Sequence, residues 1–133
     1  MRFETVLGSF DVQLYDRAGP TRTTPLTVAN FLSYLQSGAY TGSFFHRSAP
    51  GFVLQGGGFT LSGNTVSAVL TTAPVQNEPG ISNERGTIAM AKIGGQPNSA
   101  TTSWFINVVD NDVLDTDNGG FTVFGRVVGD GME

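Results

Sequence analysis

The chain has 133 residues, enough for one domain around a single core; 39% are hydrophobic, 14% charged and 18 are glycine, a turn-rich globular balance and not a disordered or coiled one. A net charge of -4 with only seven scattered Lys and Arg leaves no basic footprint for nucleic acid, and the absence of cysteine excludes disulfides, thiolate zinc sites and thiol catalysis. No apolar run is long enough to span a membrane and no secretory leader is visible, but a chain whose leader had been removed would look the same, so cytoplasm, periplasm and exterior all stay open.

Phe3, Thr5 and Leu7 alternate along the first segment, and Phe10, Val12 and Leu14 resume the alternation, which predicts a β-hairpin turning at Gly8 and Ser9. Asp16 to Thr24 reads as a polar loop carrying Gly19 and Pro20. The next stretch, TPLTVANFLSYLQSG, predicts a helix over residues 25–37, with Thr24 as N-cap, Pro25 in the first turn and Gly38 as the stop. Val28, Phe31, Leu32 and Leu35 fall on one stripe of that helix, which must lie on a sheet.

From Phe44 onward short strand-like pieces alternate with loops: FFHR, FVLQ, TIAMA, WFINVV and FTVFGRVV. Several short strands, one helix and many turn residues predict a mostly β fold, a closed or nearly closed antiparallel barrel. Between Gly56 and Gly86 lies a stretch with little period, longer than ordinary connections and therefore functional or mobile. No internal repeat or linker interrupts the chain, so residues 1–133 read as one domain.

The candidate chemistry is sparse. His46 is the lone histidine and sits beside aromatics, a setting more usual for a core residue than for a catalyst. Its neighbour Arg47 is harder to explain as packing, because a guanidinium is always charged and is rarely set among apolar residues without a hydrogen-bond acceptor. Gly56, Gly57 and Gly58 lack the lysine and hydroxyl of a phosphate-binding loop and read as a tight strand exit. The aspartate-rich run DNDVLDTDNGG fails as a calcium loop, since Gly119 and Arg126 stand where ligands are needed, and reads as a solvated turn. There is no G-x-S-x-G or H-E-x-x-H motif, and Glu78, Glu84 and the aspartates lie in loop-like segments with no sign of burial.

The ordered segments FETVLGSFDVQLYD, TVANFLSYLQSGAYTGSFFHRSAPGFVLQGGGF, NERGTIAMAK, SATTSWFINVVDN, LD and FTVFGRVVGDGM resemble cyclophilin-type peptidyl-prolyl cis-trans isomerases, especially bacterial ones, over nearly the whole chain. The resemblance implies a rotamase for X-Pro bonds in peptides and unfolded proteins, needing no metal, nucleotide or covalent intermediate. It implies Arg47 as the catalytic donor, and Phe52, Val53, Phe105 and Leu114 as the pocket for the proline ring. Gln55 would bind substrate backbone, and Ala91 and Lys92 would border the peptide groove. On strands, Val53 and Gln55 share a face, and Phe105 lies opposite Trp104 and Ile106.

The sequence departs from the family's pattern at three substrate-facing positions. Ser103 stands where Gln is common, Val113 where an aromatic is common, and Phe121 where animal members have His and a bacterial group has Tyr; weaker binding of cyclosporin A is the expected result. Members of the family also continue some thirty residues beyond GDGM, adding a second helix and the last barrel strand, whereas this sequence ends at Glu133. A fragment, a variant closed by a second chain to form an oligomer, and a stable unclosed barrel all fit. A proline-peptide-binding module of the same fold, with weak or no turnover, is the alternative function.

Overall fold

A computed structural model describes residues 1–16 and 23–133. Its strands are β1 (Arg2–Thr5), β2 (Gly8–Leu14), β3 (Arg47–Ala49), β4 (Val53–Gly56), β5 (Phe59–Ser62), β6 (Thr65–Ala68), β7 (Thr87–Met90), β8 (Trp104–Asn107) and β9 (Val123–Val128), and its single α-helix among the described residues is α1 (Pro25–Gln36). Seven strands form one antiparallel sheet in the order β1-β2-β9-β7-β8-β4-β3, and β5 and β6 form a separate hairpin. Among the described residues the sheet ends in two edges, β1 and β3, the open form of the expected antiparallel barrel.

Alternation along the central strands builds a core on each face of the sheet. Ile88, Met90, Trp104, Ile106 and Phe124 meet Val28 and Phe31 of α1 on one side, while Val53, Ala89, Phe105 and Val123 meet Tyr15 and Leu114 on the other. Phe31 is 1% exposed and packs on Phe124 at 5.1 Å between ring centroids, a burial that stabilises by about 1.5–3 kcal/mol. The second core places apolar walls where the site lies.

Several expectations need correction. The first hairpin turns at Val6 and Leu7, not at Gly8 and Ser9, because the register pairs Phe3 with Phe10, whose rings stack at 4.8 Å. Thr5 closes this turn: its hydroxyl donates to the Gly8 carbonyl and accepts from the Leu7 amide. On the helix, the buried residues are Thr27, Val28, Phe31 and Tyr34, with Leu32 and Leu35 only half-buried. Thr24 makes no side-chain cap; the Glu78 carboxylate does so instead, accepting from the Thr27 amide at 2.7 Å, the Thr27 hydroxyl at 2.8 Å and the Leu26 amide at 3.3 Å. An anion there suits the positive end of the helix dipole. At the other end Gly38 adopts φ +78 with its amide bonded to the Leu35 carbonyl and that of Ala39 to Tyr34, which stops the helix as expected.

The strand expected over FFHR begins only at Arg47, since Phe45 turns onto Trp104 in the core and His46 packs edge-on against Phe59. The aperiodic stretch 56–86 holds the β5–β6 hairpin and the segment that supplies Glu78. The polar loop expected over 16–24 lies largely outside the described residues. The aspartate-rich run is not a free solvated turn: it forms two 3-10 turns, Asp112–Asp115 and Asp117–Gly119, and the carboxylates of Asp110 and Asp115 bind the chain at 82–85. No group of acidic or histidine side chains among the described residues is arranged to hold a metal, and no helix among them is long and apolar enough to cross a membrane.

Candidate active site

Four strands carry the site in one transverse row. Arg47 lies opposite Gln55 across β3 and β4, Gln55 opposite Phe105 across β4 and β8, and Phe105 opposite Ala89 across β8 and β7. Cross-strand partners share a face, so guanidinium, amide, ring and methyl all stand on the side away from α1. Val53, two residues before Gln55, adds an apolar floor. Leu114 from the first 3-10 turn, Phe121 ahead of β9, Phe52 ahead of β4, and Ala91 and Lys92 beyond β7 close the sides.

Together these groups enclose about 180 Å³. Pockets for drug-sized ligands run from about 300 to 1,000 Å³, so this one suits a single small ring. Phe105 and Phe121 form its aromatic corner, edge to face at 5.8 Å and 72°. Two larger depressions lie elsewhere: a polar one of about 640 Å³ between Tyr15, Glu84, Arg85 and Arg126, and a groove of about 410 Å³ beside the first hairpin. Neither contains any residue of the row.

Arg47 is solvent-exposed and lines the cavity, with one Nη 3.4 Å from Gln55 Oε1. That separation exceeds the usual 2.7–3.2 Å of a good N–H···O bond, so the pair is loosely held and the remaining guanidinium donors are unengaged by described residues. On the opposite rim, Lys92 Nζ donates to the carbonyls of Asn118 at 2.8 Å and Gly120 at 2.7 Å and stands 4.5 Å over the Phe121 ring. Burial lowers the pKa of this ammonium, and the nearby Asp117 charge opposes the shift.

Behind the pocket runs a polar network that residue patterns did not reveal. Asn111 donates to the Phe52 carbonyl at 2.9 Å and to Asn107 Oδ1 at 2.8 Å; Asn107 donates to Asn83 Oδ1 at 3.1 Å and to Thr87 Oγ1 at 2.9 Å. Asn83 in turn donates from its amide and its Nδ2 to Asp115 Oδ1, and Ser82 donates to Oδ2. Burial works against ionisation of Asp115, but these three hydrogen bonds outweigh it and hold the pKa below the ordinary aspartate value. The network pins Phe52 and the turn bearing Leu114, two walls of the cavity. The only signal in the sequence was the recurrence of Asn in NERG and FINVVDN.

Of the residues anticipated for the site, Arg47, Phe52, Val53, Gln55, Ala91, Lys92, Phe105, Leu114 and Phe121 come together, whereas Ser103 and Val113 stay outside the cavity. The Ser103 carbonyl accepts from the Ala91 amide at 3.0 Å, and its side chain lies against Gly58. Val113 is 65% exposed, on the outer side of the turn whose next residue, Leu114, faces in. His46 is half-buried, not a satisfied core residue: burial, then the Arg47 charge, lower its pKa, and its Nδ1 has no hydrogen-bond partner among the described residues. Gly57 provides the tight strand exit, with φ +79 and no room for a Cβ against the Trp104 indole.

The family model described as cyclophilin type peptidyl-prolyl cis-trans isomerase/CLD matches residues 1–133. The chain belongs to this family. Among curated relatives it is 39% identical over 132 residues to a peptidyl-prolyl cis-trans isomerase of Acinetobacter baylyi and 43% identical over 133 residues to peptidyl-prolyl cis-trans isomerase A of Dickeya dadantii, covering 96% and 97% of this chain. It spans 65% of the length of each of those two. Peptidyl-prolyl cis-trans isomerase B of Escherichia coli is 41% identical over 138 residues, covering 98% of this chain and 78% of its own. A crystal structure of a Cryptosporidium parvum cyclophilin, determined in the presence of the dipeptide Ala-Pro, superposes with a TM-score of 0.74 at 24% identity, over 96% of this chain and 77% of that one. Mostly antiparallel strands curled about one helix are thus the cyclophilin arrangement.

Proposed function

We propose that this cyclophilin-type domain is a peptidyl-prolyl cis-trans isomerase acting on X-Pro bonds in peptides and unfolded proteins. The observation that carries the reading is the transverse row: a guanidinium with donors unengaged by described residues, a side-chain amide and an aromatic wall on adjacent strands, beside a cavity of about 180 Å³. The proline ring enters between Phe52, Val53, Phe105, Leu114 and Phe121, and Gln55 binds the peptide backbone. Ala91 and Lys92 border the groove along which the rest of the peptide lies.

Rotation about an amide must break its resonance, at a barrier of about 18–20 kcal/mol. Uncatalysed X-Pro isomerisation takes roughly tens to hundreds of seconds. Bringing it to milliseconds means about 10⁵-fold, or about 7 kcal/mol, a modest demand that needs no nucleophile. In the twisted state the prolyl nitrogen loses resonance and becomes pyramidal, so its lone pair accepts a hydrogen bond that the planar amide cannot. Arg47 donates that bond. Because it forms only at the transition state, it raises turnover and does not merely tighten binding. A bound prolyl segment also excludes water from the guanidinium, which strengthens the interaction. Ring burial holds one half of the amide while the other half turns.

Exchange spectroscopy on an X-Pro peptide tests this reading. Cis and trans signals exchange faster when catalytic amounts of the protein are added; saturable binding without faster exchange would instead identify a proline-peptide-binding module.

A further inference from the structure

We propose that Lys92 makes this site selective for charge: among X-Pro segments it favours those with an acidic residue directly beside the proline and disfavours those with a basic one. The inference rests on the isomerase reading of the cavity and adds a substrate class to it. The chain as a whole is acidic, with 11 Asp and Glu against 7 Lys and Arg. The cavity inverts that balance. Of its nine lining residues two are cations, Arg47 and Lys92, and none is an acid. A cleft lined by one sign of charge, with apolar walls, focuses its field on whatever enters.

Arg47 is given over to the prolyl nitrogen, which leaves Lys92 to read the charge of neighbouring side chains. Its Nζ lies 4.5 Å over the Phe121 ring, and that ring meets the Phe105 ring at 5.8 Å, so the charge stands one ring beyond the aromatic corner that receives the proline. Successive Cα atoms are about 3.8 Å apart, which brings a carboxylate on a residue flanking the proline within reach of that rim. An ammonium has three donors. Two go to the carbonyls of Asn118 and Gly120, and the third is unengaged by described residues. Carbonyl acceptors leave the positive charge uncancelled.

The ammonium is also held before a peptide arrives. Asn118 Nδ2 donates to the Ile93 carbonyl at 3.0 Å, and Asn77 Nδ2 donates to the carbonyls of Gly119 at 3.2 Å and Gly120 at 2.7 Å, which fixes the segment carrying both Nζ acceptors. A cation already fixed in place gives up little side-chain freedom when it pairs. Two carboxylates belong to the same turns, and neither lines the cavity. Asp117 supports the charged form of Lys92 but is exposed and makes no ion pair with it. Asp115 is tied to Ser82 and Asn83.

Exchange spectroscopy on matched peptides tests the selectivity, with Glu, Gln or Lys placed directly before or directly after one proline. In the wild-type protein kcat/KM for Glu exceeds that for Gln by about fivefold in at least one of the two positions, the worth of a partly exposed ion pair, and Lys falls below Gln. The preference shrinks toward unity in about 1 M salt, where charges are screened within about 3 Å. Lys92→Met lowers the Glu-to-Gln ratio to less than about twofold, and Lys92→Arg keeps it. Both peptides are read on the same variant, so a shift of the aromatic wall cancels in the ratio. Equal handling of Glu and Gln in both positions by the wild-type protein, or a preference that survives Lys92→Met, overturns the proposal while turnover of the Gln peptides still upholds the isomerase reading. No faster exchange with any of the peptides overturns both.

Discussion

The Lys92 ammonium sits 4.5 Å over the Phe121 ring while it donates hydrogen bonds to the carbonyls of Asn118 and Gly120, so one side chain fastens the 118–121 segment to the end of β7. Asn118 returns the tie through its Nδ2, which donates to the Ile93 carbonyl at 3.0 Å. Through these contacts Lys92 holds the aromatic wall in position, in addition to bordering the cavity. Lys92→Met keeps the aliphatic stem and removes the donors. KM should rise about tenfold, roughly the worth of one charge-assisted hydrogen bond, with kcat changed less than about twofold. Lys92→Arg should recover part of the loss. Equal falls in kcat for both variants, with KM unmoved, would place Lys92 in the chemical step instead.

Phe105 is the best-buried member of the aromatic corner and the middle of the transverse row. Truncation to Ala removes a ring that lines the cavity and opens the second core. Efficiency should drop through KM, by about 2–4 kcal/mol at most in kcat/KM, with a stability loss of about 3–5 kcal/mol by analogy with core truncations. Steady-state kinetics together with urea unfolding separates the two effects. Normal kinetics in this variant would move the proline pocket elsewhere.

Asp115 links acid stability to the pocket. Its folded-state pKa lies below the unfolded value, so its contribution is fully present above about pH 4 and is lost as pH falls through the depressed folded value. Asp115→Ala deletes the acceptor of three hydrogen bonds and should cost about 2–4 kcal/mol at neutral pH, measured by urea unfolding. The difference from wild type should shrink below about pH 4. A constant difference across that range would show that the carboxylate's charge contributes nothing.

The parts of the fold read correctly from residues alone were those governed by local periodicity: the helix between Pro25 and Gly38, and the strands around Val53, Ile88, Trp104 and Phe124. What escaped was decided at long range. Val6 and Leu7 look like strand residues and form a turn because Phe3 and Phe10 stack. Glu78 caps a helix some fifty residues upstream, which no local pattern announces. The β5–β6 hairpin did carry a short-range sign, Gly63 followed by Asn64 as its two-residue turn, that its weak alternation obscured. At the site, nine positions suggested by family resemblance surround one cavity; Ser103 and Val113 lie outside it, the first with its side chain against Gly58 and the second facing solvent.

The central claim is that the Arg47 guanidinium stabilises the twisted amide more than the planar one. Arg47→Ala, compared with wild type by exchange spectroscopy on one X-Pro peptide, tests it most directly. Removal of a transition-state donor is expected to lower kcat by about 10²–10³ while peptide affinity changes less than about threefold. Turnover in Arg47→Ala equal to wild type, or a loss that appears only in affinity, would contradict the account.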